Sequence, residues 1–136
     1  MNLNLLFDVP LATQIHLLCA SFAFLIGGLQ LLRRKGTPAH QIWGRLWVVL
    51  MAIVSATSFA IKNLMPMGIF GGYSPIHLLS IFVIVQITLG VYFARVGNIS
   101  AHKKCMTYTY IGGLVIAGAF TFYPGRLLHK VFIAAF

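Results

Sequence analysis

Apolar residues fill four stretches of the chain, and short polar or glycine-containing segments separate them. The stretches cover about residues 12–32, 40–61, 75–94 and 102–123. Each is long enough, at about 20 residues, to cross a hydrocarbon core of roughly 30 Å as a helix. The pattern therefore predicts four transmembrane helices, and the short connections predict that consecutive helices lie side by side in a bundle.

A short motif occurs twice and divides the chain into two similar halves. The sequence Ile-His-Leu-Leu at residues 15–18 returns at residues 76–79, 61 positions later. Each copy is followed by an apolar run, an arginine, a glycine and a second histidine, which is His40 in the first half and His102 in the second. The sequence thus predicts an all-α membrane protein, a four-transmembrane-helix bundle built from two parallel two-helix repeats.

A single integral membrane domain is expected to account for residues 1–136. The first repeat covers about residues 12–62 and the second about residues 74–123. Residues 126–136 form a tail in which apolar side chains surround a histidine and a lysine. The tail predicts either a short interfacial helix or a surface for pairing with a second copy, which leaves a homodimer open.

Composition and charge agree with insertion into a lipid bilayer. The chain is 60% hydrophobic and 8% charged, whereas a soluble domain carries roughly 25% charged residues. The net charge of +9 is concentrated in the connections between apolar runs, as in segments that orient membrane spans, so nucleic acid is not an expected partner. The more basic connections, after the first and third spans, are assigned to the cytoplasm, which puts both termini outside.

Four of the five histidines fall at matched positions of the two halves. His16 and His77 lie near the outer ends of the first and third spans, which face each other diagonally in such a bundle. His40 and His102 lie near the inner ends of the second and fourth spans. Two imidazoles that approach from opposite sides suit the axial positions of a haem iron. We therefore expect two b-type haems per chain, one on each histidine pair.

Small and basic residues complete the expected haem sites. Gly28 and Gly90 lie on the non-ligating spans at the inner depth, and Gly118 lies at the outer depth. Each is expected to leave room for the edge of a macrocycle. The basic residues expected near the haem propionates are Arg34, Arg45, Lys103, Lys104 and Arg126.

Simpler roles stay open for these residues. A histidine near the end of a span can lie among lipid headgroups, and a glycine can let two helices pack closely. Trp43 and Trp47 are expected to be interfacial anchors. Two other functions also stay open: a non-haem metal site at each histidine pair, and a structural or transporting bundle without a redox cofactor.

The sequence resembles a family of small bacterial membrane proteins catalogued only as a domain of unknown function. The segments that carry this resemblance are Ile15-His16, Gly27-Gly28-Leu29-Gln30, Ala39-His40 with Gly44-Arg45, Pro75-Ile76-His77-Leu78-Leu79, Ala101-His102-Lys103-Lys104 and Pro124-Gly125-Arg126. The resemblance implies a bacterial inner (plasma) membrane and no particular activity.

The histidine layout also resembles the di-haem core of transmembrane cytochrome b proteins. That resemblance implies an electron-transfer oxidoreductase, which would carry electrons across the bilayer from a quinol or another small-molecule donor to an acceptor. The chain has fewer spans than those proteins and no clear donor-binding motif, so the resemblance does not identify the donor.

Overall fold

The computed structural model describes residues 7–61, 75–124 and 127–132, and all regular structure in these residues is helical. This confirms the predicted all-α class. The elements are α1 (Leu11–Leu32), α2 (Pro38–Ala60), α3 (Pro75–Arg95), α4 (Ile99–Tyr108), a π-helical segment (Thr109–Ile116), α5 (Ala117–Thr121) and α6 (Leu127–Phe132).

Three helices among the described residues are long and apolar enough to cross a membrane: α1, α2 and the His77–Arg95 part of α3. Their bounds differ by at most two residues from the predicted spans. Between 11% and 28% of the most apolar part of each helix is buried inside the protein. Such helices need an apolar environment around the rest of their surface.

The two connections that follow α1 and α3 are built alike. Gly36 has φ +82° and Gly97 has φ +78°, a left-handed conformation that glycine adopts without a steric cost. The next residue in each case caps the following helix. The side chains of Thr37 and Asn98 accept a backbone N–H three residues on, at 3.1 and 3.2 Å. The same local chemistry therefore reverses the chain twice.

Helices adjacent in sequence also pack side by side, and the π-helical segment contacts both α1 and α3. The four helical stretches thus form a closed ring in which α1 lies diagonal to α3. An apolar layer fills the middle of this bundle; it consists of Ala23, Trp47, Met51, Val83, Ile87 and Leu114.

The prediction that Trp47 is an interfacial anchor is wrong. Trp47 is 4% exposed, and its indole Nε1–H donates to the carbonyl oxygen of Ala23 at 2.9 Å. The ring can be buried because its polar group finds an acceptor on the neighbouring helix. Trp43 lies one turn closer to the end of the bundle that carries His40 and His102, which we call the inner end after its predicted orientation; the opposite end, with His16 and His77, is the outer end. Trp43 is 43% exposed, and the Arg33 guanidinium lies 5.9 Å from the centroid of its ring.

Residues 99–121 keep a helical backbone throughout, and we call this stretch the fourth helix. Its π-helical segment contains Gly112 and Gly113. A Cβ atom on Gly113 would come within 2.8 Å of Val83 and 3.4 Å of Met51, so this glycine admits their side chains. The wider π turn also changes the rotation per residue, and such turns are frequent at functional sites.

Candidate histidine sites

His16 is held by α2. Its Nδ1 lies 3.0 Å from the carbonyl oxygen of Val54 and 3.0 Å from the Oγ1 atom of Thr57. The Thr57 hydroxyl donates to the carbonyl oxygen of Ile53, so a lone pair faces the imidazole. Because a carbonyl oxygen only accepts, Nδ1 carries the proton. In the neutral ring Nε2 then keeps its lone pair and is the nitrogen available to a metal.

His77 reaches the same end of α2 from α3. It is 7% exposed, and its ring centroid lies 5.6 Å from that of Phe59 in a tilted arrangement. Thr57 and Phe59 are about 200° apart around the helix axis at 3.6 residues per turn. His16 and His77 therefore lie at one depth but on opposite flanks of α2.

Small hydroxyl side chains lie between these flanks. Ser55 and Ser58 are 2% and 4% exposed, and the Ser58 hydroxyl contacts that of Ser80 on α3. Ser58 also bonds the carbonyl oxygen of Ser55 at 2.7 Å. The outer end of the bundle is thus polar and lined by small groups, in contrast to its apolar middle.

His102 is held by the backbone of α3. Its Nδ1 lies 2.8 Å from the carbonyl oxygen of Gly90, which fixes the proton on Nδ1 for the same reason as in His16. Nε2 of His102 is again the nitrogen with a free lone pair. Two histidines, one at each end of the bundle, thus present the same ring atom.

The His40 ring interacts electrostatically with three basic residues at the inner end, which are His102, Lys35 and Arg33. Its Nδ1 is buried and has no hydrogen-bond partner among the described residues, and the same holds for Oε1 of Gln30. The other amide atom of Gln30, Nε2, donates to the main-chain oxygen of His40 at 2.8 Å. The two unpaired buried atoms therefore belong to residues already in contact.

The two histidine pairs are far apart. Val54 and Thr57, which bond His16, follow His40 on α2 by 14 and 17 residues. At 1.5 Å per residue, the two depths are separated by about 21–26 Å. The buried apolar layer around Met51 lies between them, so one metal ion or cofactor cannot bind histidines at both depths.

The glycines of the inner depth are packing positions in this structure. A Cβ atom on Gly27 would come within 2.6 Å of both Trp47 and the Tyr110 ring, and one on Gly28 would lie 3.0 Å from the Tyr110 hydroxyl. Gly90 packs in the same way against the Met106 side chain. The room expected beside these glycines is therefore occupied by side chains of the fourth helix.

Gly118 differs from these glycines because, apart from its own helix, no described residue lies within 4 Å of its Cβ position. The segment α5, which contains it, makes its main contacts with the π-helical segment and α6 rather than with α1 or α3. A shallow apolar groove of about 370 Å³ runs along another face of this end of the fourth helix; it is lined by Val115, Ile116, Ala119, Phe120 and Tyr123. Gly118 does not line this groove.

Basic side chains surround the inner end of the bundle. Arg34, Arg45 and Lys103 are exposed there, and Arg45 follows His40 by five residues on α2. Arg126, the basic candidate at the outer end, lies outside the described residues. Within the described ranges, no three His, Cys, Asp or Glu side chains converge.

Two contributors to these sites were missed from the sequence. Gln30 contacts His40, and Ser58 lies between the flanks that carry His16 and His77. Gln30 had a detectable signal, because it is a long polar side chain inside an apolar run, whereas serine is common in membrane helices. Tyr110, which the sequence offers as a residue that could flank a cofactor, covers the two glycines of α1 and donates to the Phe24 carbonyl oxygen at 3.2 Å.

No curated protein and no solved structure matches the chain. A family model with the description "Predicted membrane protein (DUF2306)" matches residues 13–133, which is nearly the whole sequence. The chain therefore belongs to this family of predicted membrane proteins.

Proposed function

We propose that this membrane protein is a di-haem b-type cytochrome that carries electrons across the bilayer. His16 and His77 would hold the outer haem iron, and His40 and His102 the inner one. When bound, the haems supply one-electron redox chemistry. A quinol or another small reductant at one face, and an acceptor at the other, complete the path.

The hydrogen bonds of His16 and His102 carry this proposal. A histidine that ligates a metal usually donates its other ring N–H to a carbonyl or carboxylate, which fixes the tautomer and the ring orientation. Nδ1 of each of these residues bonds a backbone carbonyl oxygen on a neighbouring helix, at 3.0 and 2.8 Å. The donor set therefore fits an iron that binds Nε2 at each depth.

The chain would also set the surroundings of the two irons. The buried layer of Trp47, Met51 and Leu114 excludes water between the sites, which lowers the local dielectric constant. Arg34, Arg45 and Lys103 are available to pair with the propionates of the inner haem, and Arg126 is the candidate at the outer one.

The contacts of Gly90 and Gly28 indicate which side chains would have to move for a haem to bind at the inner depth. The Met106 side chain at Gly90 is flexible and can move without a backbone change. The Tyr110 ring covers Gly28, so the macrocycle must lie beside this ring or displace it. At the outer site, no described residue beyond its own helix lies within 4 Å of the Cβ position of Gly118, which would leave room there for the edge of a macrocycle.

The topology of the proposal has four spans, with residues 99–121 as the fourth, arranged as two parallel two-helix repeats. The capped turns at Gly36 and Gly97 support this arrangement because they reverse the chain in the same way. The basic residues of both turns favour their location on the cytoplasmic side of a bacterial inner membrane, with both termini outside.

A visible spectrum of the purified protein, together with pyridine-haemochrome quantification, tests the proposal. We expect sharp reduced α-bands and two haems b per chain. The four-fold variant in which His16, His40, His77 and His102 are all alanine is the control, and it should carry no haem. One haem or none in wild-type protein expressed with excess haem would show that the paired assignment is wrong.

A further inference from the structure

The inner histidines His40 and His102 differ in how their rings are held. His102 is fixed by the Gly90 carbonyl oxygen, whereas Nδ1 of His40 has no partner among the described residues. A buried ring N–H without an acceptor is costly, because its bond to water is lost and not replaced, so a nearby acceptor is expected to satisfy it. Oε1 of Gln30 is a buried acceptor that also lacks a partner in the described part of the chain.

The position of the Gln30 amide is already constrained. Nε2 donates to the main-chain oxygen of His40 at 2.8 Å, and this assignment is fixed because a carbonyl oxygen only accepts. Gly44 makes room for the amide, since a Cβ atom there would lie 3.2 Å from Nε2. Gln30 therefore lies across the turn of α2 that begins at His40, with its oxygen free to accept.

We propose that Gln30 is a positioning residue for His40 and bonds it twice. Nε2 donates to the main-chain oxygen, and Oε1 accepts from the imidazole Nδ1–H once the ring turns toward it. This places the lone pair on Nε2 of His40, matching the state that Gly90 imposes on His102. The consequence rests on the proposed function: in the haem-loaded protein, Gln30 would orient the His40 imidazole that holds the inner haem iron.

Redox titration of the haem-loaded protein tests this role. Gln30→Leu removes the acceptor, makes the imidazole a poorer electron donor and is expected to raise the midpoint potential of the inner haem. Gln30→Glu offers a stronger acceptor and should shift the same potential in the opposite direction. The outer haem should keep its potential in both variants. Gln41→Leu, the same change at an exposed position next to His40, is the control and should alter neither haem.

A second measurement separates this inference from the cytochrome proposal. If the wild-type protein carries no haem, the proposed function fails, and nitrogen NMR of histidine-labelled protein in detergent reads the His40 tautomer directly. We expect the Nδ1–H tautomer in wild type and its loss in Gln30→Leu. Unchanged potentials in haem-loaded Gln30 variants, or an unchanged tautomer in haem-free protein, would overturn the role of Gln30.

Discussion

The two halves of the chain begin alike and diverge in their second helices. Both inner turns place a glycine at positive φ and a capping side chain directly after it. The second helix of the first half, α2, is a regular α-helix of 23 residues. The corresponding helix of the second half contains an eight-residue π-helical segment. The two halves thus share the conformation and the capping of this turn, but not the hydrogen-bonding register of the helix that follows it.

One pair of matched positions explains why the halves differ. Met51 and Gly113 each follow the inner histidine of their half by 11 residues. The Met51 side chain is fully buried and reaches the place where a Gly113 side chain would lie. One half therefore provides the side chain and the other the space, and two identical halves could not pack this way. The difference between the halves is a requirement of the shared core.

The largest loss of stability is expected when the second half is given the same residue as the first half at this position, methionine. Gly113→Met adds a side chain where a Cβ atom alone would come within 2.8 Å of Val83. Overpacking of this kind should lower the free energy of unfolding by about 1–3 kcal/mol. Unfolding in mixed micelles, followed by circular dichroism, measures the loss. Gly118→Met, compared with Gly113→Met in haem-free protein, is the control, because no described residue beyond its own helix lies within 4 Å of the Cβ position of Gly118; equal losses in both variants would contradict the packing described.

A smaller loss is expected from the buried tryptophan, which the second half replaces with Thr109. Trp47→Phe keeps an aromatic ring but removes the hydrogen bond to the Ala23 carbonyl oxygen. Polar contacts between membrane helices contribute about 0.6–1.7 kcal/mol, and a loss in this range is expected in the same unfolding assay. Trp43→Phe should change stability less because that ring is 43% exposed. A larger loss of stability in Trp43→Phe than in Trp47→Phe would contradict the assignment of Trp47 to the core.

Substitutions at the glycines of the two inner turns should lower the free energy of unfolding by equal amounts, because the two turns are built alike. Gly36→Ala and Gly97→Ala each force an alanine into the left-handed region, at a cost of about 1–2 kcal/mol. Asparagine tolerates this region better, so Gly36→Asn and Gly97→Asn should lose less stability. The double alanine variant should lose the sum, since a Cβ atom on either glycine meets no described residue within 4 Å. A large loss at one turn only would show that they are not equivalent.

Effects of similar size are expected at the two caps. Thr37→Ala and Asn98→Ala each remove one acceptor for a backbone N–H, which typically costs about 0.5–2 kcal/mol. Thr37→Ser and Asn98→Asp keep the acceptor and should restore most of the stability. Failure of both conservative variants would mean that these side chains act through other contacts.

The sequence predicted the helices well because their cause is local and strong. Apolar runs bounded by charged turns gave the first three spans to within two residues. The π-helical segment was not predicted from the local sequence, and within it Gly113 packs against side chains far away in sequence. Gly118 and Ala56 both lie 16 residues after a histidine, His102 and His40 respectively, but only Gly118 comes after a π-helical segment. Equal spacing in sequence no longer means equal orientation beyond a π turn.

The candidate sites were predictable in part for a similar reason. The depth of each histidine follows from its place in a span, and the structure puts His16 and His77 at one end of α2. The partners of the rings depend on which carbonyl oxygens a neighbouring helix presents, as Gly90 does to His102. Trp47 was misassigned because its acceptor lies on another helix. The periodicity of apolar residues along one helix does not predict hydrogen bonds to another helix.

The central claim is that four histidines form two pairs at two depths. Redox titration of four variants tests it most directly: His16→Ala, His77→Ala, His40→Ala and His102→Ala. We expect the first two to abolish the same low-spin haem and the last two to abolish the other, with the remaining haem keeping its potential in each case. Loss of the same haem in His16→Ala and His40→Ala, or no spectral change in any variant, would contradict the account.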